Sequence, residues 1–373
     1  MMTNKAISHF GKHFLVEVTG TAITDNEKRL LERLQPAAIM LRKRNFIQDV
    51  DYETWLEAYK QLIAQFRNIL PKELIISIDH EGGRVIRPPA PITKFPYAIH
   101  WPDHVNEVAE AMVIELKSLA INVNFAPVAD IHSNANNPVI NERAFGTTPS
   151  KVSKATIEFV RTMKINGIAS CAKHFPGHGD TKTDSHFGVP VLDLSLKELR
   201  KRELIPFQAL INEGIEMIMT AHILFPKIDP ENTATLSKTI LHDLLREEMG
   251  FKGVVIADAL GMAAISKNIS EQESLVKAIK AGLDIFLVAG DNVTIDNTIK
   301  MAELLVRAAK KGDISEEVLA QSEKRIDKFI STLPQYDVSK LDAKVLSKNH
   351  KIAEDLEKVK TSNKFELNLP GFD

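Results

Sequence analysis

Short, almost unbroken apolar runs recur along the chain at Phe14–Val18, Ala37–Leu41, Leu74–Asp79, Val123–Phe125, Ile168–Lys173, Met217–Ala221, Val254–Asp258 and Ile285–Val288. Several do not alternate with polar residues, as expected of parallel strands covered on both faces. Between them the apolar period changes to that of a helix. Val105, Val108, Ala109, Met112, Val113 and Leu116 share one helical face, as do Val152, Ala155, Phe159 and Met163, and Asn166-Gly167 closes the second helix. A strand–helix unit repeated around the chain predicts an α/β protein, a (β/α)8 TIM barrel, better than an open doubly wound sheet. No glycine-rich dinucleotide fingerprint follows the first strand, which weakens the open-sheet alternative.

Beyond residue 333 the pattern changes. Pro334-Gln335-Tyr336 marks a break, and residues 348–360 predict a polar helix carrying Ile352, Leu356 and Val359. Thr361 to Asp373 has little apolar periodicity and reads as an extended or frayed arm. The division expected is a catalytic barrel over 1–333 and a helix with a tail over 334–373, too short for a second domain.

Composition narrows the partners. Of 373 residues, 44% are hydrophobic and the formal charge is −2, so a sizeable core is available and no basic field recruits nucleic acid or anionic membrane. No segment approaches a membrane span or a signal-peptide apolar region, which makes a cytoplasmic location the expectation. The lone Cys171 lies inside an apolar run and reads as a small buried hydrophobe. Lys344, Lys348, Lys351 and Lys358 read as a solvated helix face.

In a barrel, chemistry collects at the C-terminal strand ends. Those ends carry Asp79-His80-Glu81-Gly82-Gly83-Arg84, Asp130, Lys173-His174, His222 and Asp258. The richest is the loop Lys173-His174-Phe175-Pro176-Gly177-His178-Gly179-Asp180-Thr181-Lys182-Thr183-Asp184-Ser185-His186, with three histidines and two aspartates. Metal binding by His174, His178, Asp180 and His186 is disfavoured. There is no HExxH motif, and Pro176-Gly177 breaks the helical spacing of His174 and His178. Proton transfer fits better: Asp184 can orient His186 and raise its pKa, with Asp258 as the second reacting group. Arg84, Arg87, Arg143 and Lys173 suggest a ligand rich in acceptor oxygens. His222 reads as a core or supporting residue, Asp130 as a candidate for tying down loops, and His178 and Asp180 as shaping their own loop. His9, His13 and His350 read as surface or packing residues.

The same loop resembles the signature of family 3 glycoside hydrolases in their single-domain β-N-acetylhexosaminidase (NagZ-type) branch. Three further segments agree in order: Ile78-Asp79-His80-Glu81-Gly82-Gly83-Arg84-Val85; Phe125-Ala126-Pro127-Val128-Ala129-Asp130 with Asn137 to Gly146; and Val255-Ile256-Ala257-Asp258-Ala259-Leu260-Gly261-Met262. The likeness runs over roughly residues 14–333. It implies Asp258 as nucleophile and His186, paired with Asp184, as general acid/base. It also implies Asp79, Arg87, Arg143, Lys173 and His174 as residues holding N-acetylglucosamine in the −1 subsite. The reaction implied is retaining removal of terminal β-linked N-acetylglucosamine by a monomer without cofactor or metal. The implied substrates are N-acetylglucosaminyl-anhydro-N-acetylmuramic acid peptides of peptidoglycan recycling. Family 3 β-glucosidases resemble the barrel but take an acid/base glutamate from a following domain, and the 40 or so residues after this barrel leave no room for one. Departures from the branch are His80, where glutamine is common, the prolines after Arg87, and Ala259, where some members carry aspartate; they bear on the aglycone side. Phosphorolysis and non-catalytic sugar binding are the rival expectations. The glycines predict a loop that moves to deliver His186.

Overall fold

The computed structural model describes residues 4–181, 189–259, 271–290 and 294–362, with side chains described as far as 358. Eight parallel strands form one sheet: β1 Phe14–Val16, β2 Ala38–Leu41, β3 Ile75–Ile78, β4 Val123–Asn124, β5 Ala169–Phe175, β6 Met217–Thr220, β7 Val254–Ala257 and β8 Phe286–Val288. Neighbours follow sequence order, β8 pairs with β1, and the bridge between Ile256 and Ile285 joins β7 to β8. The predicted barrel is therefore the observed fold, with each predicted run trimmed or extended by one or two residues.

Side chains alternate across the barrel wall. Leu15, Ala38, Met40, Ile75, Val123, Cys171, Met217, Val254 and Leu287 fill the interior, while Phe14, Val16, Ile39, Leu41, Ile76 and Ile218 face the surrounding helices. Both faces are apolar because both are buried, which is why the strands read as continuous runs. The helix Glu316–Thr332 and the residue after it seal the N-terminal mouth by inserting Ile326, Phe329 and Leu333 into the inner cluster. Beside that plug, buried Asp284 accepts hydrogen bonds from Arg246, Arg325, Ser322 and the Val255 N–H. The opposite, C-terminal mouth is left open as a cleft.

The helices expected over Val105 to Leu116 and Val152 to Met163 form as Val105–Ser118 and Pro149–Ile165. Thr148 caps the second and Asn166 ends it. The last helix is longer than the 348–360 expected from its apolar positions, running Ala343–Ser362. Its extra turn is specified by docking: Leu346, Ala353 and Leu356 are buried, and Asn349 donates to Glu115 at 2.9 Å. Periodicity also gave no notice of the antiparallel pair Leu224–Phe225 and Asp229–Thr233, or of the π-helix Thr239–Glu248. Residues 363–373, the greater part of the expected arm, lie outside the described residues.

Candidate active site

The C-terminal mouth opens into a cleft of about 200 Å³ that brings together Asp79, Arg87, Arg143, Lys173, His174 and Asp258. Six of the eight residues singled out from the sequence thus converge. The other two, Asp184 and His186, lie outside the described residues.

β3 supplies the first part of the site. Asn124 at the end of β4 accepts the His80 N–H at 3.1 Å and donates to the His80 carbonyl at 3.0 Å. This two-way bond pins the backbone so that Asp79 and Glu81 both line the cleft. Gly82 and Gly83 then turn with φ of 92° and 55°, where a side chain is strained and would strike Trp101 or Tyr97.

Charge in the cleft is organised around two carboxylates and three cations. Lys173 at the end of β5 donates to Asp79 at 2.9 Å and lies 2.5 Å from Glu81. Arg87 donates to the other Asp79 oxygen at 2.8 Å. Arg143 makes a bidentate pair with Glu81 at 2.8 and 2.9 Å. Burial pushes both carboxyls up, but the cations outweigh it, holding Asp79 far below the usual range and Glu81 down at about 2. Lys173 behaves conversely: burial favours its neutral form, yet Asp79 and Glu81 raise its pKa. The result is a largely buried lattice of directed donors and acceptors. Glu81 is its hub and was not singled out as a site residue. Its place two residues from Asp79, on the same side of the chain, was the signal available.

Asp130 performs the tying role considered for it. Its Oδ2 accepts both the His174 N–H at 3.0 Å and His174 Nδ1 at 2.7 Å, and its Oδ1 accepts the His178 N–H at 2.6 Å. With Nδ1 so engaged, the imidazole presents Nε2 to the cleft. Two glycines of this loop lie where no side chain fits. A methyl on Gly179 would lie 1.7 Å from the Ile131 carbonyl oxygen, and one on Gly177 2.8 Å from Glu203 Cβ. They permit close packing, and Asn137 locks the loop by donating to the carbonyls of His178 and Gly179 at 2.8 and 2.9 Å. Over residues 176–181 the loop thus packs closely against the barrel. The expected movement concerns the His186 end, outside the described residues. His178 and Asp180 shape the loop, as read: His178 bonds Thr181, and Asp180 pairs with Arg202.

Asp258 stands at the end of β7, partly open to the cleft. Burial raises its pKa, but His174, His222 and the Ala259 N–H, which donates at 2.7 Å, together bring it below the ordinary value. It is an anion at neutral pH. His222 is a supporting residue: buried, it lies 3.2 Å from the Asp258 carbonyl oxygen through Nε2 and 2.9 Å from the Thr235 hydroxyl through Nδ1. Arg84, by contrast, is exposed, donates to the Pro138 and Val139 carbonyls and does not line the cleft. Cys171 is buried in the barrel with its thiol pKa raised by desolvation, as a packing residue should be. His9 is exposed and pairs with Glu323, while buried His13 bonds the Asp284 carbonyl. Among the described residues no cluster of metal-ligating side chains occurs. No helix among them is long and apolar enough to cross a membrane.

Similarity to known proteins agrees with this geometry. A model of the glycosyl hydrolase family 3 N terminal domain matches residues 10–329. The chain is 34% identical to beta-hexosaminidase A of Pseudoalteromonas piscicida over 343 residues, covering 86% of this chain and 57% of that protein. It therefore spans little more than half the length of that relative. The glycoside hydrolase family 3 beta-N-acetylglucosaminidase from Paenibacillus sp. str. FPU-7 superposes with a TM-score of 0.85 at 32% identity, over 96% of this chain and 69% of that one. NagZ from Neisseria gonorrhoeae, solved in complex with N-trifluoroacetyl-D-glucosamine, superposes with a TM-score of 0.71 at 27% identity, over 93% and 97% of the two chains.

Proposed function

The chain belongs to glycoside hydrolase family 3, and from that premise we propose that it is a retaining exo-β-N-acetylglucosaminidase. The observation that carries the reading is Asp258, an ionised carboxylate facing a lattice of buried donors and acceptors in one cleft. A nucleophile must be anionic before substrate arrives, and here His174, His222 and a backbone N–H keep it so.

In this mechanism Asp79, Arg87, Lys173 and His174 grip the hydroxyls of a terminal N-acetylglucosamine, with Arg143 beside them. Each of these side chains already has one partner that fixes its direction, so little rotamer entropy is lost on binding. Asp258 attacks the anomeric carbon and the glycosidic bond breaks. His186, oriented by Asp184, gives a proton to the departing oxygen. Water then attacks the glycosyl-aspartate, His186 takes the water's proton, and the sugar leaves with its configuration retained. A neutral imidazole in the acid/base role places no second anion beside Asp258.

The substrates proposed are muropeptide fragments ending in N-acetylglucosamine, such as its 1,6-anhydro-N-acetylmuramic acid peptides, hydrolysed in the cytoplasm by a monomer during peptidoglycan recycling. The near-neutral formal charge of −2 supports a small diffusing substrate over nucleic acid or a membrane surface.

The test is to trap the intermediate with a slow 2-acetamido fluoro-sugar and map the modified peptide. The label should sit on Asp258, and Asp258→Asn should lower kcat/KM by about 10³-fold or more, the loss expected when a nucleophile is removed. Label on another residue overturns the assignment. Formation of N-acetylglucosamine 1-phosphate in phosphate buffer would make the enzyme a phosphorylase, and binding without turnover would make it a sugar-binding barrel.

A further inference from the structure

We propose that Glu203, hidden behind the loop that follows β5, is a positioning residue whose ionisation decides how firmly Arg202 clasps that loop to the barrel. The role deepens the reading of the cleft above and rests on it.

Glu203 lies between the helices Leu196–Lys201 and Leu204–Asn212 and is 1% exposed. Its Oε1 accepts from Arg202 Nε at 2.6 Å, while Arg202 Nη2 donates to Asp180 at 2.6 Å. One guanidinium therefore bridges a buried carboxylate and the far side of the cleft loop. Glu203 also forms the underside of the turn at Gly177, since a methyl there would lie 2.8 Å from its Cβ. Its Oε2 is buried and has no hydrogen-bond partner among the described residues.

The charged groups acting on Glu203 are Arg202, Asp130 and Asp180, and the Ser133 hydroxyl is a long 3.5 Å from Oε1. Two carboxylates, Glu203 and Asp180, thus share one guanidinium with the anionic Asp130 close by, and Glu203 has an unsatisfied oxygen. A proton on Glu203 removes the excess negative charge and lowers the cost of burying that oxygen without a partner. Burial pushes its carboxyl up to about 7 against the pull of Arg202, with Asp130 and Asp180 adding to the rise. Ionised, Glu203 holds Arg202 from beneath and the clasp is complete. Once protonated by solvent, it leaves the guanidinium only the partly exposed Asp180. The loop so held carries His178 and continues from His174 near the end of β5, and the neighbouring Asp130 accepts both backbone N–H groups.

The experiment compares kcat/KM on 4-nitrophenyl N-acetyl-β-D-glucosaminide from pH 5 to 9 for the wild type and Glu203→Gln, with thermal melts of both. The comparison reads the difference between the two profiles, in which titrations common to both proteins cancel. Glutamine mimics the protonated carboxyl. The variant should match the wild type near pH 5.5 and fall at least threefold below it at pH 8. A profile lowered by one factor at every pH would mark a merely structural role and overturn the proposal. The melting temperature of the variant, relative to wild type, should rise between pH 5 and 8, because folding holds the Glu203 proton to higher pH than the unfolded chain does. A flat difference overturns the titration. If Glu203→Gln does not fold, Asp180→Asn serves: the wild-type inflection should shrink or move to lower pH, and an unchanged inflection refutes the clasp. A wild type inactive on the glycoside sinks the proposed function and this role with it, while the melts still report whether Glu203 titrates.

Discussion

Glu81 is the residue on which the charges of the cleft converge. Its two oxygens face Arg143 and Lys173, and all three side chains are largely or wholly removed from water. Removing one partner of a buried pair leaves the others uncompensated, which costs about 3–5 kcal/mol. Glu81→Gln should therefore lower urea stability by about 3 kcal/mol or more, and kcat/KM should fall on the order of 100-fold as Lys173 and Arg143 shift. Unchanged stability would show that the neutral amide satisfies both cations. Asp79, Lys173 and Asp258 could be found in the sequence because they end strands. Glu81 was harder to find, since a residue two positions further on is as easily a solvated loop carboxylate. Only the approach of Arg143 from 62 positions away gives it a role.

At the scale of elements, Gly177 and Gly179 allow close packing of the first part of the β5 loop. Gly179 lets the loop press against the backbone at Ile131, and Asn137 and Asp130 then bond its N–H and carbonyl groups. Gly179→Ala drives a methyl into a carbonyl that cannot yield. It should cost about 1–3 kcal/mol and lower the melting temperature, as overpacking does. It should also depress kcat/KM by moving His174. A variant with wild-type melting and activity would show that Ile131 gives way. The strands themselves were legible because a barrel strand is apolar on both faces. The longer last helix was less so, since its first turn is specified by contacts of Leu346 and Asn349 with a partner surface distant in sequence.

The whole molecule should be acid-sensitive in a defined window. Burial drives the pKa of His80 and His178 down from 6.5 to about 4, and lowers His13 and His222 as well. The unfolded chain takes up these protons near pH 6.5 and the native state does not. Their contribution is therefore complete above about 6.5 and is lost as pH falls toward 4. Glu203 opposes this, since its raised pKa makes the native form the better proton acceptor between about 4.5 and 7. For His80 alone, one and a half pH units below 6.5 amount to roughly 2 kcal/mol. Urea unfolding at pH 6.5 and 5 should show His80→Gln losing less stability than the wild type by about that amount. Equal losses would mean that His80 is protonated in the native barrel.

The sequence by itself determined the barrel, because strand burial repeats locally along the chain, and the motifs at its strand ends carried the resemblance to the family. It also identified Asp258, Asp79, Arg87, Arg143, Lys173 and His174 as companions before any distance was known. Tertiary structure alone decided how their charges are shared. It made Glu81 the hub and Asp130 the anchor, kept Arg84 out of the cleft, and set Glu203 with Arg202 behind the loop. Those assignments depend on which carboxylate meets which cation across strands far apart in sequence, and on how much water is left between them.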